Sequence, residues 1–335
     1  MPEELLSVRD LETIIETRSG TIRAVNKVSL DVGKGEIVGL VGESGSGKSM
    51  TALSIVRLLP EPFAKIISGR IIFEGLDLVS SPEEGMRRIR GTRIGIIFQD
   101  SMSALDPLMT NGEQVVEAIR AQNKIERDVA EKKALDMLRL VGIPDPEIRF
   151  KQHPFEISGG MRQRMVIAMA LAGRPSLLIA DEPTTNLDVS IQAQILELLR
   201  EIRNTLGTAI LLITHNLGIV AWLCDRVYIM YCGKIMETGP MEKIVDNPSH
   251  PYTSLLLKSI PKISDANKSK LEAVPGDTPN LAEIPSGCVF NPRCPFSKKV
   301  CSEMEPEFSE IVHGHSAKCL MYDPIRKSHW VSSSG

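Results

Sequence analysis

The sequence is short of excess charge, of long apolar runs, of cysteine and, at its start, of aromatic rings. Each shortage excludes something. Across 335 residues, 39 Lys and Arg stand against 42 Asp and Glu, a formal net charge of −3. That balance gives no overall basic field to hold nucleic acid. The tail from Lys262 onward, with nine basic and nine acidic residues, is no polybasic arm either. No apolar stretch approaches the roughly 18–20 residues that span a bilayer. The N-terminus "MPEELLSVRDLETI" has neither a basic start nor an apolar core, so a secretory signal is not expected. The chain therefore reads as soluble, with any membrane association made through partners. Six cysteines without a signal peptide argue for reduced thiols or a metal rather than a disulfide framework. No Phe, Trp, Tyr or His precedes Phe63, so the first 62 residues offer no π face to a planar ligand.

What is present is an alternation of strands and helices. Short β-rich runs come first, "GTIRAVNKVSLDV" and "EIVGLVG", and the middle, about Glu113 to Leu140, is charged and helix-periodic. A compact series follows: helix "GMRQRMVIAMALAG", strand "LLIA", helix "SIQAQILELLREIRNTLG", strand "AILLIT". In the second of these helices Ile191, Ile195, Leu198 and Ile202 keep one apolar face. Strands alternating with helices predict an α/β fold with a parallel sheet. After Pro261, Pro, Gly and Ser become frequent, apolar periodicity fades and four cysteines appear within 32 residues, which sets a domain boundary near residue 260.

Three motifs carry chemistry. "GESGSGKS", Gly42-Glu43-Ser44-Gly45-Ser46-Gly47-Lys48-Ser49, matches the phosphate-loop pattern between a strand and a helix. Its glycines let backbone N–H groups turn onto phosphate oxygens, Lys48 neutralises the β- and γ-phosphates, and the Ser49 hydroxyl is placed for Mg²⁺. "LLIADE" ends a strand in Asp181, which can hold magnesium through water, and Glu182, which can polarise an attacking water. "ISGGMRQR" caps a helix with Ser158, Gly159 and Gly160, whose amides can face a phosphate. Alone, that last motif is an ordinary N-cap.

Taken in order with "LLITH", these motifs resemble the ATP-binding cassette of ABC transporters over about residues 5–260. The resemblance implies a P-loop fold: a RecA-like core with an antiparallel β subdomain and a helical subdomain at about residues 101–174. It implies ATP and Mg²⁺ as cofactors, Gln99 as a magnesium ligand, His215 as a γ-phosphate contact and Asp188 as the aspartate after the catalytic strand. Ser158, Gly159, Gly160 and Gln163 then belong to the signature that completes a partner's ATP site. "IADEPTTNLDVSIQAQILELL", "MYCGKIMETGP" and "NPSHPYTSLLL" narrow the resemblance to the ATPase subunits of dipeptide and oligopeptide importers, extending it to about Cys319. Implied partners are a second cassette, identical or homologous, two membrane permeases and an extracytoplasmic solute-binding protein, with no nucleic acid. The implied location is peripheral, on the cytoplasmic face of the membrane. The alternative is a soluble ATPase of the same family acting on nucleic acid through a zinc-binding tail.

Several positions depart from the family. Ile15 stands where many cassettes stack an aromatic on adenine, so base recognition should rest on apolar contact. Met50 follows the loop serine, Ser101 follows "FQD", Asn186 replaces a usual Ala, and Asn216 follows His215 in place of Asp. None removes a phosphate, magnesium or catalytic group. In the tail, expected as a small domain over residues 261–335, Cys288, Cys294, Cys301 and Cys319 are separated by five, six and seventeen residues. Zinc sites usually contain a tight C-x₂₋₄-C knuckle, so four thiolates on long loops suit a [4Fe–4S] cluster better, with Zn²⁺ or unliganded or disulfide-bonded cysteines as the alternatives. Some members of the importer family resembled here are thought to carry such a cluster. Cys224 and Cys232 are expected to be buried apolar residues.

Overall fold

The computed structural model describes residues 3–18, 20–100, 103–122, 125–260 and 274–328. Ser101 and the start of the expected tail domain, residues 261–273, lie outside them. Two long strands, β1 (Glu4–Thr17) and β2 (Gly20–Gly33), lead to β3 (Ile37–Val41), α1 (Lys48–Ile55), β4 (Ala64–Phe73) and β5 (Leu76–Asp77). Next come α2 (Glu83–Ile89), β6 (Ile94–Ile97), α3 (Asn111–Gln122), α4 (Arg127–Leu140), α5 (Pro146–Lys151) and α6 (Gly159–Ala170). The alternating series is β7 (Leu177–Asp181), α7 (Val189–Leu206), β8 (Ala209–Thr214), α8 (Leu217–Leu223) and β9 (Arg226–Tyr231). β10 (Lys234–Pro240), α9 (Met241–Asp246), α10 (Pro251–Lys258), α11 (Lys299–Glu303), β11 (Phe308–Val312) and β12 (His315–Lys318) complete the described chain. No helix among the described residues is long and apolar enough to cross a membrane.

The chain divides into two compact units. The first comprises residues 1–6, 32–37 and 73–213. Its strands β6, β7 and β8 are parallel neighbours, with Ile94 opposite Leu177 and Leu177 opposite Ala209. A parallel strand is covered on both faces, which is why β7 reads as a continuous apolar run and is buried throughout. The helix-periodic middle resolves into α3 and α4, and α3 packs on α4, α5 and α6. On α7, Ile195, Leu198 and Ile202 are buried and Ile191 half-buried, as the periodicity predicts. The helix starts at Asp188 and stops at Gly207, which takes the left-handed conformation at φ 69°.

The second unit comprises residues 7–31, 38–72 and 214–335. Here β3 runs parallel to β9, Val38 facing Arg226, and β9 pairs antiparallel with β10. β10 then pairs with β12 and β12 with β11, so the hairpin of the tail extends the sheet that leads into the phosphate loop. In a second sheet β2, β1 and β4 are neighbours in that order.

A buried carboxylate joins the tail hairpin to the segment before α10. Glu237, fully buried, accepts hydrogen bonds from the backbone N–H groups of Ser249 (2.6 Å) and His250 (3.0 Å) and from His315 Nε2 (2.7 Å). Three donors satisfy a charge that would otherwise be costly to bury. His250 caps α10, its Nδ1 accepting from the backbone N–H of Tyr252. Burial pushes its imidazole from the ordinary value of 6.5 down to about 3.

In the unfolded chain that ring takes up a proton as pH falls below 6.5, whereas the folded ring stays neutral until about pH 3. Stability present above 6.5 is therefore lost as pH falls through this window. His250→Asn keeps an acceptor at the cap without titrating. The thermal midpoint should drop from about pH 7.5 to about pH 5, and drop less in the Asn variant. Identical drops in a scanning fluorimetry series would show that His250 does not carry the dependence.

Candidate active site

In the second unit, Gly42 to Gly47 form a tight loop between β3 and α1, and Lys48 and Ser49 open the helix. The turn is possible because glycine occupies the closest approaches. A Cβ on Gly42 would meet the Met230 carbonyl oxygen at 2.0 Å, and one on Gly47 the Ala24 oxygen at 2.1 Å. Gly47 also takes φ 105°, a conformation L side chains rarely adopt. Lys48 is 5% exposed, and its Nζ donates to the carbonyls of Gly42 and Glu43, both at 2.8 Å, with Ser46 Oγ at 3.4 Å. Ser44 and Gly45 are exposed, Ser46 is buried, and Ser49 and Met50 are half-buried. The loop amides, the N-terminal end of α1 and a positioned ammonium together suit a polyphosphate.

Glu43 is held from three sides. Its carboxylate accepts paired hydrogen bonds from Arg293 (2.6 and 3.0 Å) and one from Thr278 Oγ1 (2.7 Å). Its backbone N–H donates to the Tyr252 hydroxyl at 3.0 Å. The phosphate-loop pattern ends at Ser49 and gives no sign of these three supports, since Tyr252, Thr278 and Arg293 lie more than 200 residues further along the chain. Ile15 is half-buried on β1. His215, exposed after β8, lines a small pocket with Asn216, Leu217, Leu256, Ser259 and Ile260. Asn216 caps α8, its Oδ1 accepting from the N–H groups of Gly218 and Ile219, so the cap is kept with Asn in place of Asp.

In the first unit, Asp181 ends β7 and is 7% exposed. Glu182 follows at φ 47°, a strained conformation for this residue. Its Oε2 accepts from Thr185 Oγ1 at 2.8 Å and from Gln99 Nε2 at 3.3 Å, so the structure brings these sequence-predicted groups together. Asn186 sits at φ 65°, where Asn is tolerated better than Ala. Asp188 caps α7, accepting from Ser190 Oγ and the Ile191 N–H, and these hydrogen bonds hold its carboxyl below the ordinary carboxylate value. Ser158 caps α6 and is exposed, with Gly159 and Gly160 partly so. Gly160 lies against Ile191, whose Cγ2 a Cβ would meet at 2.7 Å. Gln163, grouped with the signature in the sequence, is 4% exposed, so it is not on the accessible surface with Ser158.

The four tail cysteines line one cavity of about 20 Å³ together with His250, Phe290 and Leu320. Burial pushes the Cys288 thiol up to about 11 and that of Cys319 up to about 12, each raised further by neighbouring cysteines, and burial also raises Cys294. Four soft donors around one space fit a thiophilic metal in chemistry. Their arrangement does not close around one: among the described residues no group of three or more Cys, His, Asp or Glu side chains is set to hold a metal ion. The expectation of a [4Fe–4S] cluster thus gains a shared cavity and no ligand geometry. Cys224 and Cys232 are buried, as expected.

Residues 25–185 match the ABC transporter family and residues 236–301 the oligopeptide/dipeptide transporter C-terminal region. The dipeptide transport ATP-binding protein of Bacillus subtilis is 48% identical over 331 residues, covering 99% of this chain and 98% of that one. The oligopeptide transport ATP-binding protein of the same organism is 47% identical over 320 residues, covering 96% and 89%. Among solved structures, a dimeric ATP-binding cassette in a post-hydrolysis state, bound to ADP and Pi, superposes with a TM-score of 0.64 at 25% identity, covering 71% of this chain and 99% of that one.

Gly47→Ala combines a left-handed conformation with a backbone clash. It should cost more than the about 1–3 kcal/mol of conformational strain alone and abolish measurable nucleotide binding. Chemical denaturation together with a nucleotide titration tests this; parent-like values in both would contradict the loop geometry.

Proposed function

The chain belongs to the ATP-binding proteins of ABC transporters, in the oligopeptide/dipeptide group, and from that premise we propose that it is the ATPase subunit of an importer of dipeptides, oligopeptides or a related small solute. The single observation that carries this reading is the joint match of both segments, cassette and C-terminal region, in one chain. No observation favours an action on nucleic acid.

The roles follow from residue chemistry. Amides of Gly45 to Ser49 and the Lys48 ammonium bind the phosphates, and the Ser49 hydroxyl would hold the accompanying magnesium. Gln99 and Asp181 would be its other ligands, and the ion would supply charge neutralisation on the phosphates. Glu182 orients and deprotonates the attacking water, aided by the hydrogen bond from Thr185 that fixes its carboxylate. His215 contacts the γ-phosphate. Ser158, Gly159 and Gly160, accessible at the start of α6, complete the ATP site of a second cassette, and Asp188 lies beside that contact. Ile15 gives adenine an apolar surface only. The working assembly is then a pair of cassettes, identical or homologous, with two permeases and an extracytoplasmic binding protein, the cassettes sitting on the cytoplasmic face of the membrane. The binding protein and permeases select the solute.

Glu182→Gln should lower ATP turnover by about 10²–10⁴-fold while ATP still binds. The assay is steady-state hydrolysis and uptake of a labelled peptide by the reconstituted transporter; near-parent turnover would reject the assignment.

We also place a metal group at Cys288, Cys294, Cys301 and Cys319, a [4Fe–4S] cluster in preference to zinc. The support is their convergence on one cavity and the absence of a tight knuckle. Protein purified without oxygen should be brown and contain about four irons per chain. Colourless protein with one zinc per chain would exclude the cluster.

A further inference from the structure

The phosphate loop carries a carboxylate at its second residue, an awkward charge for a loop that binds anions. Glu43 lies within the anion-binding motif, and a negative group there repels phosphate oxygens unless something cancels it. The cancelling charge comes from 250 positions away in the chain. Arg293 is 7% exposed, and each of its five donors has an acceptor. Nη1 donates to Glu43 Oε2 (2.6 Å) and the Tyr231 hydroxyl (3.2 Å). Nη2 donates to Glu43 Oε1 (3.0 Å) and the Gly276 carbonyl (3.1 Å), and Nε to the Pro275 carbonyl (2.8 Å). The guanidinium also lies 5.7 Å from the centre of the Tyr231 ring.

This arrangement fixes more than charge. The Glu43 backbone carbonyl accepts from Lys48 Nζ and its N–H donates to Tyr252, so the residue that Arg293 grips also orients the loop lysine. Tyr252 in turn packs against Tyr231 and Phe290, with ring centroids 4.7 and 5.3 Å away. A saturated, bidentate guanidinium among aromatic rings is a rigid grip. We propose that Arg293 is a positioning residue for ATP binding: it neutralises and orients Glu43, so that the C-terminal region forms part of the support of the phosphate loop. This rests on the reading of Gly42–Ser49 as an ATP site and adds to it a residue outside the cassette motifs.

The test is a set of nucleotide titrations on the full chain with Mg-ATP and Mg-ADP as probes, using Arg293→Met, Arg293→Lys, Glu43→Gln and the double variant Glu43→Gln/Arg293→Met. Exposing the Glu43 charge should raise the ATP dissociation constant about tenfold, and the ADP constant less, because repulsion grows with ligand charge. Arg293→Lys, which keeps the charge but loses the fork, should fall between. The double variant should recover to within about threefold of the parent, since no charge is left to cancel. A merely structural arginine would weaken both nucleotides alike and would not be rescued by Glu43→Gln. An unchanged ATP constant in a folded Arg293→Met protein, or a double variant as weak as Arg293→Met, overturns the proposal. Should Arg293→Met fail to fold, Arg293→Gln takes its place with the same expectations. A parent chain that binds no ATP would overturn the nucleotide reading itself; parent binding with an indifferent Arg293→Met overturns only the role of Arg293.

Discussion

The buried ammonium of Lys48 sets the terms for the second unit. A lysine left 5% exposed needs acceptors, and it takes them from the main chain of its own loop, the Gly42 and Glu43 carbonyls. Those carbonyls point inward only if the loop curls until its glycines touch neighbouring backbone. That contact falls on Met230 in β9 and on Ala24 in β2, two strands that lie far apart in sequence. Gly233, in the turn between β9 and β10, adds main-chain hydrogen bonds, its N–H to Ser46 and its carbonyl from Asn26. The closest approaches of Gly42 and Gly47 thus fall on backbone, while the Arg293, Thr278 and Tyr252 side chains hold Glu43. Backbone gives a mould that does not change rotamer, which suits a site that must hold a polyphosphate in one geometry.

The first unit meets a different constraint, that of placing carboxylates at the end of a strand buried along its length. Ending β7 in Asp181 and turning at once through Glu182 keeps both charges at the rim of the sheet. The turn is bought with backbone strain, since Glu182 and Asn186 both take positive φ. Thr185 and Gln99 then tie the Glu182 carboxylate down. Positive φ at Glu182 and Asn186, within five residues, fixes the direction of the Glu182 carboxylate.

What could be read from the sequence was local. The phosphate loop, the strand ending in Asp181, the cap Ser158 and the apolar face of α7 each lie within a few residues and obey a fixed spacing. What could not be read involved pairing at a distance. β12, "HSAK", has no strand signature, and it forms because β10 offers an edge to Glu237↔Ala317 and Thr238↔Ser316. Gln163 was grouped with the signature by adjacency, but a helix turns 100° per residue, and five positions after Ser158 the side chain is buried. Asn186 departs from the usual Ala because its backbone is left-handed, and Asn216 keeps the cap that Asp would make. The convergence of the four cysteines on one cavity depends on loops of five, six and seventeen residues, whose paths no periodicity encodes.

The composition change after Pro261 suggests a tail that could be removed without touching the nucleotide site. The contacts within the second unit point the other way. A polar segment with few apolar residues cannot build a core of its own, and this one instead adds a hairpin to β10 and sends His315 to Glu237 and Phe290 into the Tyr231–Tyr252 pair. Order in the tail is therefore borrowed from the sheet that carries the phosphate loop. By reciprocity, whatever orders the tail also stabilises that sheet and the Glu43 position bound to it. Cys294 directly follows Arg293 in the chain, so the cavity lined by the four thiols and the grip on Glu43 share one short loop between Phe290 and Cys294. The chain thus folds its C-terminal segment onto the phosphate loop, and Arg293 and Phe290 couple the order of one to the other.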